Sequence, residues 1–151
     1  MSDHTYSTHL RWEGSTGAGV AGYAREHVAA APPAGEVPLS ADPAFRGTAG
    51  RLNPEQLVVM AASSCQLLSF LAVAARAGVD VLAYVDDATS HLDLAAAPPR
   101  LATVRLATTV TVAAGTDAAR VRHLADRAHR ECFVAASLAV PVEVTTRVRY
   151  A

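Results

Sequence analysis

The apolar positions change period several times along the chain, and each change marks an element. Tyr6 to Trp12 alternates loosely and reads as a strand. The glycine-rich stretch Gly14 to Gly22 follows as a hairpin connection, and Tyr23 to Ala29 reads as a second strand. Pro32, Pro33 and Gly35 interrupt it, and Glu36 to Leu39 predicts a short third strand. Ser40 to Leu52 has no apolar period and reads as a loop. Asn53-Pro54-Glu55-Gln56 then carries a helix start: Asn caps, Pro fits the first turn, and Gln56 completes a capping box. The helix extends to about Ala77, where Gly78 suits the left-handed position past its end. It is apolar on nearly all sides, which predicts burial almost all round and, in a small domain, a partner surface.

Val79 to Ala88 and Leu101 to Val112 are strand-like. In the second, Val104, Leu106, Val110 and Val112 share one face, while Arg105, Thr109 and Thr111 take the other. Thr116 is placed to cap a second helix over Asp117 to Ala135. Val142, Val144, Val148 and Tyr150 alternate with Glu143, Arg147 and Arg149 in a last strand. The order is βββ-α-ββ-α-β, an α+β arrangement without internal repeat, read as a single domain over residues 1–151.

Composition narrows this picture. A length of 151 residues suits one domain with a real core and is short for two. The apolar share of 51% is globular, and with aromatics at 5% the core must be built from Val, Leu and Ala. A net charge of −1, with arginines and acids interspersed, supplies neither a basic face for nucleic acid nor a polybasic membrane patch. All 13 basic residues are arginine, so Schiff-base catalysis and a phosphate-binding P-loop lysine are excluded. Met1 to Trp12 lacks the features of a secretory signal. The apolar stretch Leu57 to Ala75 is broken by Ser63, Ser64, Gln66 and Ser69, which reads as a buried helix of a soluble protein rather than a membrane span. A cytoplasmic location is the expectation.

The candidate chemistry rests on two cysteines. Cys65 lies mid-way along the first helix and Cys132 near the end of the second. In a reducing compartment they are either inert core thiols or a reactive pair, and a nearby Arg or protonated His would lower a thiol pKa. Gly17-Ala18-Gly19 with Gly22 matches a GxGxxG pattern, but it lies between strands with no helix after it, so the dinucleotide reading fails. His129 and Cys132 supply two ligands where a metal site needs three or four, and no HExxH or CxxC is present. No metal and no cofactor is expected. His129 is assigned to tuning Cys132 or binding a backbone carbonyl, and His123 to the surface.

Asn53-Pro54-Glu55-Gln56-Leu57, followed by Cys65, resembles the central helix of the OsmC/Ohr family, the osmotically inducible and organic-hydroperoxide-resistance proteins. Ala128-His129-x-x-Cys132, shortly before the last strand, resembles the family's second cysteine motif, and the order of elements is similar over nearly the whole chain. The resemblance implies a thiol-dependent peroxidase for organic hydroperoxides. Cys65 would attack the peroxide and become a sulfenic acid, and Cys132 would condense with it to a disulfide that prevents over-oxidation. A dithiol reductant, in the Ohr branch a lipoylated protein, would reopen the bridge.

The resemblance also implies a glutamate and an arginine beside the thiol. Glu55 matches the glutamate, Arg25 is the first choice for the arginine, and Arg46 is the second. Glu55 and Cys65 stand about 15 Å apart along one helix, so a shared site needs Glu55 from a second subunit. An intertwined homodimer, with its central helices crossing antiparallel near Met60, is therefore expected. Leu, Val and Phe from the helix and the Ser40 to Leu52 loop should line a pocket suited to an organic hydroperoxide. Phe133 stands where many relatives have proline, and Ser63, Ser64 and Gln66 make the turn around Cys65 unusually polar, which suggests a divergent OsmC-like branch. Two other classes compete: a Cys-His hydrolase, which needs an oriented base and an oxyanion hole, and a non-catalytic small-ligand-binding or stress-related dimer of the same fold.

Overall fold

The computed structural model describes residues 3–151, which form two compact units, one ending at Leu57 and the other spanning Val58–Ala151. In the first unit, β1 (His9–Arg11), β2 (His27–Ala30) and β3 (Glu36–Leu39) make an antiparallel sheet in that order. β1 and β2 are shorter than the alternation predicted. Trp12 donates from Nε1 to the Ala24 carbonyl at 2.8 Å and meets Tyr23 edge-on, so these aromatics pack in the connection instead of the ladder. Gly14 to Gly22 is a run of turns with no helix behind it, as its context implied.

The loop after β3 holds one 3-10 turn, Pro43–Phe45, begun by Asp42, whose carboxylate accepts the Ala44 N–H at 2.7 Å. Buried Ser40 anchors this loop by accepting the Thr48 N–H on its hydroxyl and donating its own N–H to the Leu52 carbonyl. Gly47 lies so close to Ala41 that an added Cβ would stand 1.6 Å from the carbonyl oxygen.

The capping box forms as read. Gln56 N–H donates to Asn53 Oδ1 at 2.8 Å, and Asn53 N–H donates to Gln56 Oε1 at 3.1 Å. From it runs α1 (Pro54–Arg76). Gly78, at φ 67°, donates to the Ala75 carbonyl while Val79 donates to Ala74, a Schellman ending.

The second unit is built on β4 (Val81–Thr89), β7 (Val104–Val112) and β8 (Val142–Tyr150), in the order β4-β7-β8. Between β4 and β7 lies a small ladder, β5 (Leu92–Asp93) with β6 (Arg100–Leu101). β4 and β7 are antiparallel, whereas β8 runs parallel to β7 because α2 (Ala118–Arg130) and α3 (Phe133–Ser137) carry the chain back between them. Val104, Leu106, Val110 and Val112 all point into the core, as their alternation predicted. Val110 and Val112 pack with Phe70, Val73 and Ala74 of α1 and Val121, Leu124, Ala125 and Ala128 of α2, while Val104 and Leu106 form a second cluster with Ala62 of α1.

Within this chain α1 is covered on one side, and one sequence expectation, the extent of the second helix, is corrected. α1 is long and apolar enough to cross a membrane by length and composition, yet only 28% of its apolar window is buried. The sheet and α2 cover the face of Ala62, Gln66, Phe70 and Val73, while Met60, Leu68 and Leu71 stay 53%, 65% and 39% exposed. A helix with apolar residues all round has more face than one sheet and one neighbouring helix can cover. The second helix is not one rod from Asp117 to Ala135. Asp117 caps it in place of Thr116, whose hydroxyl donates to the Ala113 carbonyl, and it ends at Arg130. Cys132 is extended at φ −77°, ψ 111° and starts α3.

Asn53→Ala should cost about 1–2 kcal/mol of stability, and Gly47→Ala should lower the thermal midpoint by forcing Ala41 to move. Urea and thermal unfolding of each variant against wild type measure both effects.

Candidate active site

Among the second unit's elements, α1 and the junction of α2 with α3 deliver the two sulfurs. Cys65 is half-buried and Cys132 only 1% exposed, and both are free thiols. Cys65 lies on the flank of α1 between its covered and open faces. Cys132 is held at the junction, its Sγ accepting the Ala135 N–H at 3.5 Å. Glu131, just before it, is gripped by Arg127 of α2 at 2.9 Å and by Arg76 at the end of α1 at 3.1 Å.

The two thiols are driven apart in acidity. Burial pushes Cys65 up, but hydrogen bonding from the Cys132 thiol, the Val134 and Phe133 N–H groups and the Ser69 hydroxyl outweighs it, and Cys65 titrates below the ordinary thiol value. Cys132 is pushed up to about 11, first by burial and then by its hydrogen bond and charge interaction with Cys65. Such a pair places the negative charge on the more accessible sulfur and keeps the proton on the buried one. Chemically, the first can attack an electrophile and the second can follow.

Some of these donors were legible in the sequence and others were not. Ser69 stands four residues after Cys65, one helical turn away, so its place was readable. The Phe133 and Val134 N–H groups point at Cys65 only because the helix breaks at Cys132, and the sequence carries no proline or glycine there to announce it. Two polar side chains beside Cys65 also have definite partners. Ser63 donates to Asp86 of β4 at 2.5 Å, and Gln66, 1% exposed, donates from Nε2 to the Ala125 carbonyl of α2 at 3.1 Å.

Arg25, Arg46 and Glu55 belong to the first unit and line one cleft of about 810 Å³. Its apolar wall comes from Leu10, Trp12, Val20 and Phe45. Of α1, only Pro54 and Glu55 reach it, so the pocket expected from the helix's Leu and Val residues is not what forms there. Those residues face the β4-β7-β8 sheet or the open side of α1. Arg25 is tied down: Nη1 and Nη2 donate to the Tyr23 and Val20 carbonyls at 2.9 and 2.6 Å, and its guanidinium lies 4.0 Å over the Tyr23 ring. Arg46 is exposed and left-handed, at φ 65°, where it closes the 3-10 turn. His123 is at the surface, as expected. His129 departs from expectation in that its Nδ1 is buried without a hydrogen-bond partner.

Against known proteins, the family model described as OsmC-like protein matches residues 47–147. No curated protein matches the chain in sequence. An OsmC-like protein of unknown function from Vibrio cholerae is similar at 25% identity and a TM-score of 0.84, over 97% of this chain and all of that one. An organic hydroperoxide resistance protein from Elizabethkingia anophelis gives 16% identity and a TM-score of 0.74, over 99% of each chain. One from Legionella pneumophila gives 17% and 0.73, over 98% of each. With the family model covering more than half of its length, the chain belongs to the OsmC-like protein family.

Proposed function

We propose that this protein is a cysteine-based peroxidase that reduces organic hydroperoxides in the cytoplasm, as a defence against oxidative stress. The supporting observation is the unequal thiol pair: a reachable Cys65 of lowered pKa beside a buried Cys132 raised to about 11. Two of the similar solved structures are named organic hydroperoxide resistance proteins, which favours the same reading.

In the proposed cycle, the Cys65 thiolate attacks the terminal peroxide oxygen and the O–O bond breaks. The departing alkoxide takes a proton and leaves as the alcohol, and Cys65 becomes a sulfenic acid. Cys132, losing its proton, attacks the sulfenic sulfur, the disulfide forms and water leaves. A dithiol reductant, for which a lipoylated protein is the family precedent, attacks that disulfide and returns both thiols while becoming a disulfide itself.

The open face of α1, with Met60, Leu68 and Leu71 exposed, suits a homodimer in which two copies of this helix cross. In that dimer Glu55 of one copy would serve Cys65 of the other, with a guanidinium from Arg25 or Arg46 holding the thiolate. Arg46 is the less committed of the two, since Arg25 already binds two carbonyls.

Consumption of cumene hydroperoxide with dihydrolipoamide tests the cycle. Cys65→Ser should abolish turnover, and Cys132→Ser should lose it with bulky reductants while accumulating sulfenic acid. If mass spectrometry after mild peroxide treatment finds both thiols untouched in folded protein, the peroxidase reading fails. Ester cleavage without peroxide would point instead to a hydrolase.

The titration follows in sign from the donors. Cys65 should be alkylated with an inflection below the ordinary thiol value of about 8.5. Cys132→Ala removes a donor from the thiolate and should move that inflection upward. Light scattering should give the mass of a dimer; a monomer's mass would remove the shared site.

A further inference from the structure

Gln66 is the one large polar side chain fully buried in the second unit, and it follows Cys65 directly. Its Nε2 reaches across to the Ala125 carbonyl of α2, while its Oε1 is buried with no partner. An apolar residue of similar length would fill this place without leaving an oxygen unpaired, so packing alone does not account for an amide here. What the amide supplies is direction. α1 is apolar on nearly every side, and apolar contact by itself chooses weakly among rotations of such a helix about its axis. The Gln66 bond to α2 and the Ser63 bond to Asp86 of β4 name one rotation. Ala125 lies two helical turns before Cys132, so the same bond joins the backbone next to one thiol to the helix that leads to the other.

We propose that Gln66 is a positioning residue that sets the distance and angle between the Cys65 and Cys132 sulfurs by clamping α1 to α2. This rests on the dithiol reading above, but its test needs no peroxide. The donors around Cys65 are carried by the chain after α2, at Cys132, Phe133 and Val134. Releasing the clamp lets them drift from the Cys65 sulfur, and both the thiolate and the ease of bridging suffer.

The experiment compares full-length wild type with Gln66→Met, Gln66→Leu and Gln66→Asn, the last polar but one methylene too short for the Ala125 carbonyl. Two quantities are read: the pH inflection of Cys65 alkylation by iodoacetamide, and the effective concentration of the thiol pair in equilibrium with glutathione. In variants that keep the wild-type circular dichroism, the inflection should rise by about one pH unit, a tenfold change in acidity. The effective concentration should fall about tenfold. A folded variant in which both quantities stay at wild-type values overturns the proposal, as does loss of folding in all three, which would make Gln66 purely structural. Failure of wild-type protein to consume hydroperoxide would sink the peroxidase reading and leave these measurements standing. Normal peroxide turnover with unshifted thiols in the variants would sink this inference alone.

Discussion

The interruption of helical backbone between Arg130 and Phe133 is what the unequal acidity of the two thiols depends on. At Cys132 the backbone is extended, its sulfur starts a new short helix, and the N–H groups of Phe133 and Val134 become donors for Cys65. A continuous helix would have bonded those N–H groups to carbonyls one turn earlier and taken from Cys65 two of the donors that offset its burial, which raises a thiol. Glu131, held by arginines from both helices, sits at the interruption. Exposed ion pairs of this kind add little stability, so their value lies in where they hold the backbone.

The second constraint is α1 itself. It serves as the core's central element and also leaves an apolar strip in solvent. Its covered side packs on β7 and α2, and its polar residues Ser63 and Gln66 are spent on directional bonds to β4 and α2. Cys65 lies on the flank between the covered and the open side. A surface laid on the open strip would reach the edge of the thiol without displacing the core.

In the first unit, the charged candidates converge for a different reason. The loop after β3 is pinned at buried Ser40 and turns at Pro43–Phe45, bringing Arg46 to the same cleft as Arg25 and Glu55. The two guanidinium groups there are not equivalent. Arg25 spends its donors on the connection between β1 and β2, while Arg46 projects from a left-handed residue at the end of the turn. The sequence nominated both and put Arg25 first, but the carbonyls that each one meets are decided by the fold.

What the sequence determined alone was whatever depends on neighbours a few residues apart. The Asn53 capping box, the Gly78 ending of α1 and the alternating core face of β7 are local, governed by backbone hydrogen bonds and the periods of helix and strand. The family was legible too, in two residue patterns around Cys65 and Cys132 that stand in the right order. Tertiary structure decided the rest: that α1 is covered on one side only, that the second helix breaks at Cys132, and that Gln66 points inward to a carbonyl of α2. Each of these depends on which surfaces remain after the sheet and helices have packed. Whether a polar side chain buried among apolar ones finds a partner is settled by contacts distant in sequence, which local pattern does not encode.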